Sequence, residues 1–344
     1  MKFDKRESQK QFAAFMANSQ LAQTARGGGA PPNDRLAPVL ELVNVPEFES
    51  TAKLVLSPDR FNAISGGSRA SFDKMTFRQR LMVYAMDLDL TTTLFGHEMF
   101  APIIVGPVSG QQNLHADGEV ETARGSSAAK AIMVATSGSD QAIGEVVAAS
   151  NEPVWYQVYA DAPAVEDDAS RAVSGGCQTV CVTVGVSSDH TPSATDWEVI
   201  DRLNQAINVP LIVKGIMSSR DAQAAIEHGA QGLVVSSHGG LISGGDGALP
   251  IDVLPAVADI VDGEVPILVD GSFRRGTDVL KGLALGATAV MVARPAMWGL
   301  AAYGAEGVQT VIEILQTELA RNMAASGRPT IATIDRSLVR FDSR

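Results

Sequence analysis

Eight short runs of apolar, mostly β-branched residues recur through the last two thirds of the chain, at 102–105, 131–134, 154–159, 179–184, 210–213, 232–235, 266–269 and 289–292. None alternates apolar with polar, so each predicts a strand covered on both faces. Helical stretches at 117–130, 140–149, 219–229 and 275–286 separate some of them, the last two stopping at Gly229 and Gly286 in the glycine-favouring cap position. Strand and helix alternating around eight strands predict an α/β protein of the parallel (β/α)8 TIM-barrel type. A doubly wound sheet is the alternative. It requires a glycine-rich phosphate turn after the first strand, and Gly106-Pro107-Val108-Ser109-Gly110 does not have that spacing.

The remaining 100 or so residues divide in two. Residues 1–34 read as a helix (1–24) and a flexible linker, Arg26-Gly27-Gly28-Gly29-Ala30-Pro31-Pro32-Asn33, placed before a single domain at 35–344. Lys5-Arg6 followed by Phe12-Ala13-Ala14-Phe15-Met16-Ala17 has the outline of a degenerate export signal, but the apolar stretch is shorter than the ~7–15 residues such signals use. Between 35 and 100 we expect a helix from Val45 to Leu56 and a strand and turn over Leu88 to Gly96. A net charge of −12 argues against nucleic acid and anionic membrane as main partners. No apolar run is long enough to span a bilayer. Two cysteines, Cys177 and Cys181, make no disulfide framework and read as packing residues in a reducing, cytoplasmic setting.

In such a barrel the chemistry collects where the strands end. The exits carry, in order, Pro107-Val108-Ser109; Thr136-Ser137; Gln157 and Tyr159; Thr183; Lys214; Ser236-Ser237-His238-Gly239-Gly240; Asp270-Gly271-Ser272-Phe273-Arg274-Arg275; and Ala293-Arg294. The last two exits predict a phosphate site, since small residues let backbone N–H groups approach and Arg274 and Arg294 supply charge in a planar fork. Lys214 directly after a buried run is costly to desolvate unless an anion or a carboxylate partner meets it. His238, between serines and glycines, is the candidate general base. His228 before Gly229 suits a helix C-terminus, and His97 and His115 fall in early loops.

These residues together resemble the FMN-dependent α-hydroxy-acid oxidase and dehydrogenase family, which includes glycolate oxidase, lactate oxidase and mandelate dehydrogenase. The similarity is carried by Pro210-Leu211-Ile212-Val213-Lys214-Gly215-Ile216, Val234-Val235-Ser236-Ser237-His238-Gly239-Gly240 and Val269-Asp270-Gly271-Ser272-Phe273-Arg274-Arg275-Gly276. Weaker matches are His115-Ala116-Asp117-Gly118-Glu119 and Trp155-Tyr156-Gln157-Val158-Tyr159. The resemblance implies an FMN cofactor over the barrel mouth. Pro107, Val108 and Ser109 would face its ring system, with Ser137, Gln157, Thr183 and Ser236 on the polar side. Lys214 would stabilise the reduced flavin, and Asp270, Gly271, Ser272, Arg274, Ala293 and Arg294 would hold the ribityl phosphate. It further implies that His238 takes a proton as a hydride equivalent passes to flavin N5, and that Tyr159 hydrogen-bonds the substrate. A homo-oligomer, commonly a tetramer, is the family habit. No metal is implied.

The departures from the family pattern bear on the substrate. The family's His-Gly-Gly-Arg reads His238-Gly239-Gly240-Leu241 here, so an arginine that grips the substrate carboxylate has become leucine. Thr-Val-Asp reads Thr183-Val184-Gly185, which removes the aspartate that orients the histidine. The next loop is short, and 187–196 contains no second arginine. A substrate-contacting tyrosine aligns with Asn62. Asp189 and His190 are the candidate replacements for the lost polar partner. The expected activity is oxidation of an alcohol or 2-hydroxy-acid-like compound other than a simple small acid, the electron acceptor being oxygen, a quinone or a carrier protein. A flavin-dependent isomerase and a flavin-binding protein with little catalysis are the alternatives.

Overall fold

The computed structural model describes residues 36–78, 85, 87–139, 141–242, 244 and 247–341. The helix expected over 1–24, the linker at 26–33 and Asp140 lie outside the described residues. The chain divides into two units, Met1–Glu41 and Leu42–Arg344. In the first, a 3-10 turn spans Val39–Glu41, closed by Glu41 N donating to Pro38 O at 2.9 Å.

The second unit opens with α1 (Val45–Val55), α2 (Pro58–Ala63) and α3 (Ala70–Asp73). α1 starts where the sequence says it must: the Asn44 side chain accepts from Glu47 N at 3.2 Å, and Pro46 occupies the first turn, where no N–H is missed. A strand β1 (Met75–Phe77) follows, then the hairpin β2 (Thr92–Leu94) and β3 (His97–Met99). The barrel strands are β4 (Ile103–Val105), β5 (Met133–Thr136), β6 (Val154–Tyr159), β7 (Val180–Thr183), β8 (Leu211–Ile216), β9 (Gly232–Val235), β10 (Ile267–Val269) and β11 (Ala289–Val292). They form one closed parallel barrel in chain order, β11 pairing back onto β4 through Val290–Ile103. The (β/α)8 expectation is therefore met. Helices α4 (Gly118–Ala128), α5 (Ile143–Ala148), α6 (Val165–Ser174), α7 (Glu198–Ala206), α8 (Ser219–Glu227), α9 (Pro250–Val261), α10 (Gly276–Ala284) and α11 (Arg294–Ser326) connect the strands, and β12 (Val339–Phe341) pairs with β1. Among the described residues no helix is long and apolar enough to cross a membrane.

Two boundaries differ from the sequence reading in a way that matters. The second barrel strand starts two residues late and reaches Thr136, and the fifth runs on past Lys214 to Ile216. Lys214 is thus inside β8, and the register shifts between Lys214 and Ile216, where Gly215 takes a φ of 111°.

The barrel interior is layered. Its apolar floor contains Ile104, Val134, Trp155, Cys181, Ile212, Val234, Leu268 and Met291, closed below by Leu94 and Met99 of the hairpin. Side chains alternate along a strand, so the residue two steps further on points the same way. On six strands those residues are Thr136, Gln157, Thr183, Lys214, Ser236 and Asp270, with Tyr159 one layer above Gln157; on β4 and β11 they are the small Gly106 and Ala293. The apolar-to-polar change inside one strand period is what places the site at the mouth.

α11 breaks at Tyr303 and Gly304, where Gly304 has φ 60° and ψ −139°. That conformation is essentially restricted to glycine, and an added Cβ would also sit 3.0 Å from Glu121 Oε2, which accepts from Ala305 N at 2.9 Å. Gly304→Ala is expected to destabilise the fold by ~1–3 kcal/mol, read as a lower urea midpoint. An unchanged midpoint removes the kink from the list of constraints.

Candidate active site

Lys214 inside β8 and the residues directly after β9 and β10, Ser236 and Asp270, form a polar network. Lys214 Nζ donates to Ser236 Oγ at 2.9 Å and lies 3.3 Å from Asp270 Oδ2, and Ser236 Oγ donates to the same carboxylate oxygen at 2.8 Å. The lysine charge is therefore paired and its hydrogen bonds partly met, as a nearly water-free position requires. Ser236 Oγ also accepts from His238 N at 3.2 Å, which ties the network to the turn carrying the histidine. His238 takes a φ of 46°, and Gly239 and Gly240 follow at 73° and 103°. Three successive left-handed residues turn the chain sharply over the mouth, which is why two of them are glycine.

Around His238 the ring nitrogens face different groups. Nδ1 is 3.5 Å from Lys214 Nζ, and Nε2 is 3.4 Å from the Tyr159 hydroxyl. Burial first, then Lys214 and His190, push the imidazole down to about 3. Tyr159 is held above the ordinary phenol range by burial, against hydrogen bonds involving Gln157 and Ser109. A second layer runs beneath: Thr136 Oγ1 donates to Gln157 Oε1 at 2.8 Å, and Gln157 Nε2 donates to Thr183 Oγ1 at 2.9 Å. Ser137 N donates to Gln157 O at 2.9 Å. Pro107 and Val108 are half-buried after β4, and Ser109 is exposed beside Gly138 of the β5 exit.

The phosphate-like half lies after β10 and β11. Arg274 is buried, stacks 4.6 Å over Trp298, and donates to the carbonyls of Phe273 (3.0 Å) and Gly66 (3.1 Å). Arg294 Nη1 donates to Ser65 O at 3.3 Å. Among the described residues neither joins an ion pair. Burial pushes Arg274 down to about 10 with help from Arg294, and lowers Arg294 as well. Two desolvated guanidiniums without a carboxylate have charge to spare for an anion. Arg275, next in the chain, is by contrast exposed and meets Glu318 at 2.8 Å in a surface ion pair.

Sequence reasoning missed how the early segment completes this half. Asp278 accepts from Arg69 Nη1 and Nη2 at 2.8 and 2.9 Å and from the N–H groups of Arg274 (2.8 Å) and Arg275 (2.9 Å). It caps α10 and pins residues 65–69 against the β10 exit. Gly67, at φ 96°, packs so closely that a Cβ would lie 2.6 Å from Ser272 Oγ and from Arg294 Nη2. The Ser65-Gly66-Gly67 run was the available signal.

The substrate-facing positions separate. Leu241 is exposed beside His238. Gly185 stands at φ 76°, and a Cβ there would meet Ile242 Cδ1 at 3.4 Å, so hydrocarbon fills the direction an aspartate would take. Asn62 is exposed on α2, and among the described residues no hydrogen bond joins its side chain to Tyr159, His238 or Lys214. Asp189 is engaged within its own loop by Ser187 and by Thr191 Oγ1 at 2.6 Å, whereas the His190 ring lies 5.6 Å from His238 and 6.0 Å from Tyr159. Of the other histidines, His228 pairs with Asp201 at 2.6 Å and His97 with Glu152 at 3.2 Å. Cys177 and Cys181 are free and buried, each thiol pushed up to about 12 by burial, which makes them inert packing groups.

A mouth with a buried lysine and histidine on one side and an anion cradle on the other defines a barrel enzyme built around a phosphorylated cofactor. The family model described as FMN-dependent dehydrogenase matches residues 66–191 and 185–341. A peroxisomal (S)-2-hydroxyacid oxidase of Arabidopsis thaliana is 32% identical over 355 residues, spanning 88% of this chain and 98% of the relative. L-lactate oxidase of Nostoc sp. is 31% identical over 358 residues, spanning 86% and 98%. Among solved structures, mandelate oxidase with (S)-2-phenylpropionate aligns with a TM-score of 0.80 at 29% identity over 88% of this chain and 100% of that one. An arginine-to-leucine variant of mandelate oxidase with 2-hydroxy-phenylacetamide aligns at 0.81 and 28%, with the same coverage. The chain belongs to the FMN-dependent α-hydroxy-acid oxidase and dehydrogenase family. It is an FMN-dependent oxidoreductase acting on a CH–OH group, the first of the three activity classes considered above.

The residues present fit that cofactor. The unpaired guanidiniums of Arg274 and Arg294 match a phosphate, and the space at Gly67 is one that a side chain would fill. Gly67→Val is expected to lower the flavin-to-protein ratio of the purified enzyme at least tenfold while far-UV dichroism stays unchanged. Full flavin content in that variant rejects the cradle.

Proposed function

We propose that this enzyme oxidises the CH–OH group of an uncharged 2-hydroxy compound, an ester, an amide or a larger alcohol, in preference to a small 2-hydroxy acid. The carrying observation is the chemistry of the mouth. Leu241 stands where the family pattern has a carboxylate-gripping arginine, and Lys214, the cation beside His238, is already bonded to Ser236 and Asp270. Two lost charge-assisted contacts forfeit ~1.5–3 kcal/mol each, and a carboxylate desolvated beside Leu241 loses more. The mandelate oxidase variant with leucine for arginine was solved with 2-hydroxy-phenylacetamide, an uncharged amide, which supports the reading.

Oxidation of a carbinol to a carbonyl removes two electrons and two protons; FMN, when bound, supplies the acceptor for both electrons and one proton. His238 is assigned the other proton. A lone pair at Nε2 requires the neutral imidazole to carry its hydrogen at Nδ1; in that tautomer Lys214 Nζ, 3.5 Å away, no longer donates to Nδ1, and among the described residues no carboxylate meets the Nδ1–H. With Gly185 in place of the aspartate, no carboxylate among the described residues meets the imidazole, so the histidine is an always-available but weak base. Tyr159, 3.4 Å from Nε2, orients the reacting hydroxyl beside it. Lys214, anchored by Ser236 and Asp270, places a fixed positive charge at the mouth where negative charge develops during reduction. Arg274, Arg294 and the Gly271–Ser272 turn hold the phosphate, and Gln157, Thr183 and Ser137 offer donors and acceptors along the barrel rim.

Matched acids, methyl esters and primary amides, mixed anaerobically with the enzyme, test the substrate class. The expected result is faster bleaching of the flavin by the ester or amide; a tenfold preference for the free acid overturns it. His238→Ala should lower kcat/KM by ~10²-fold or more with flavin still bound. The base works unprotonated, and its pKa lies near 3 instead of the ordinary 6.5, so kcat/KM should stay flat as pH falls from about 8 to about 5. An acid limb centred at the ordinary histidine value rejects that environment for His238.

A further inference from the structure

The loop after β7 is a small, self-tied turn. Val186 bridges Pro192 in antiparallel fashion, and Ser187 N donates to Thr191 O at 2.8 Å. His190 N closes the turn onto Ser187 O at 2.9 Å. The Asp189 carboxylate knots the interior, accepting from Thr191 N at 3.1 Å, from Thr191 Oγ1 at 2.6 Å and from Ser187 Oγ. These bonds hold Asp189 below the usual carboxylate range, so the knot is charged and intact at neutral pH. His190 follows at φ 62°, a left-handed conformation that histidine tolerates better than most residues.

The knot aims one side chain at the mouth. The rings of His190, His238 and Tyr159 form a nearly equilateral triangle, with centroid separations of 5.6, 5.7 and 6.0 Å. A substrate that touches both His238 and Tyr159 therefore lies within reach of His190 as well. The imidazole of His190 is solvent-exposed in this structure and makes no side-chain hydrogen bond to another described residue. Whichever tautomer it adopts, a neutral imidazole presents one N–H donor.

Building on the substrate class proposed above, we propose that His190 is the specificity-determining residue of this enzyme: its ring N–H donates to the carbonyl oxygen of the ester or amide next to the reacting carbon, and the Asp189 knot holds it there. One neutral donor suits one neutral acceptor, and a site built around a hydrogen bond discriminates strongly against a ligand that leaves it unmade.

The test uses the FMN-loaded enzyme and a matched acid, methyl ester and primary amide, with four variants. His190→Gly removes the donor and relaxes the left-handed backbone. His190→Phe keeps a ring without the donor, His190→Gln restores an N–H, and Asp189→Ala loosens the knot. KM for the ester and amide should rise tenfold or more in the Gly and Phe variants, with kcat within threefold. The Gln variant should recover most of that loss, and Asp189→Ala should give a smaller rise in the same direction. The Kd of the unreactive 2-oxo amide, read from the flavin's visible spectrum, should move in parallel. Two outcomes overturn the role of His190: KM values within twofold of wild type in both the Gly and Phe variants, or equal behaviour of Phe and Gln. Failure of the substrate class shows separately, in the unmutated enzyme, as a preference for the free acid.

Discussion

Closure of the parallel sheet, β11 onto β4, is the constraint from which the rest of this molecule follows. In a parallel barrel every strand points the same way, so every strand ends on one rim. Interior side chains stack in layers two residues apart. Here the lower layer is hydrocarbon and the next is polar, Ile212 below Lys214 and Val234 below Ser236. A lysine buried on β8 is tolerated because β9 and β10 pair in turn beside it and bring Asp270, just past the end of β10, within 3.3 Å of it. Without Asp270 that ammonium would lose its carboxylate, and the histidine turn would lose part of the network that anchors it.

The mouth then has two electrostatic characters. On the β10–β11 side, two guanidiniums are desolvated with no carboxylate to spend their charge on, held by carbonyls of the 65–67 segment that Arg69 and Asp278 fix in place. On the β6–β9 side the lining carries less charge: Leu241 and Ile242 are hydrocarbon and Gly185 has no side chain. What is left there is a set of hydrogen-bonding rings, Tyr159, His190 and His238, over a lysine already paired. That contrast between the two ends is the ground of the substrate class proposed above.

Much of this was legible in the chain. The eight apolar runs located all eight barrel strands, because a strand covered on both faces has no polar alternation to blur it. Lys214, His238, Arg274 and Arg294 stood out as polar groups directly after such runs. The errors have physical causes. β8 extends beyond Lys214 because Gly215 absorbs an irregularity with a φ that only the folded ladder demands. Helices α6, α7, α9 and α11 were not delineated, and the break in α11 depends on Glu121, far away in sequence, and on a close backbone contact between Gly299 and Gly307 that exists only once the helix has folded back on itself.

The sequence by itself determined the barrel and the identity of the chemical groups on its rim, since period and residue type are local properties. The tertiary structure decided which of those groups are paired. It gave Lys214 its carboxylate, left Arg274 without one, and sent Arg275 to the surface. It also filled the aspartate's direction with Ile242 and brought His190 to the mouth in place of Asp189. Pairing and burial depend on residues far apart in the chain, and the energy of a charge depends on both, so the chemistry of the site is fixed only when the sheet closes.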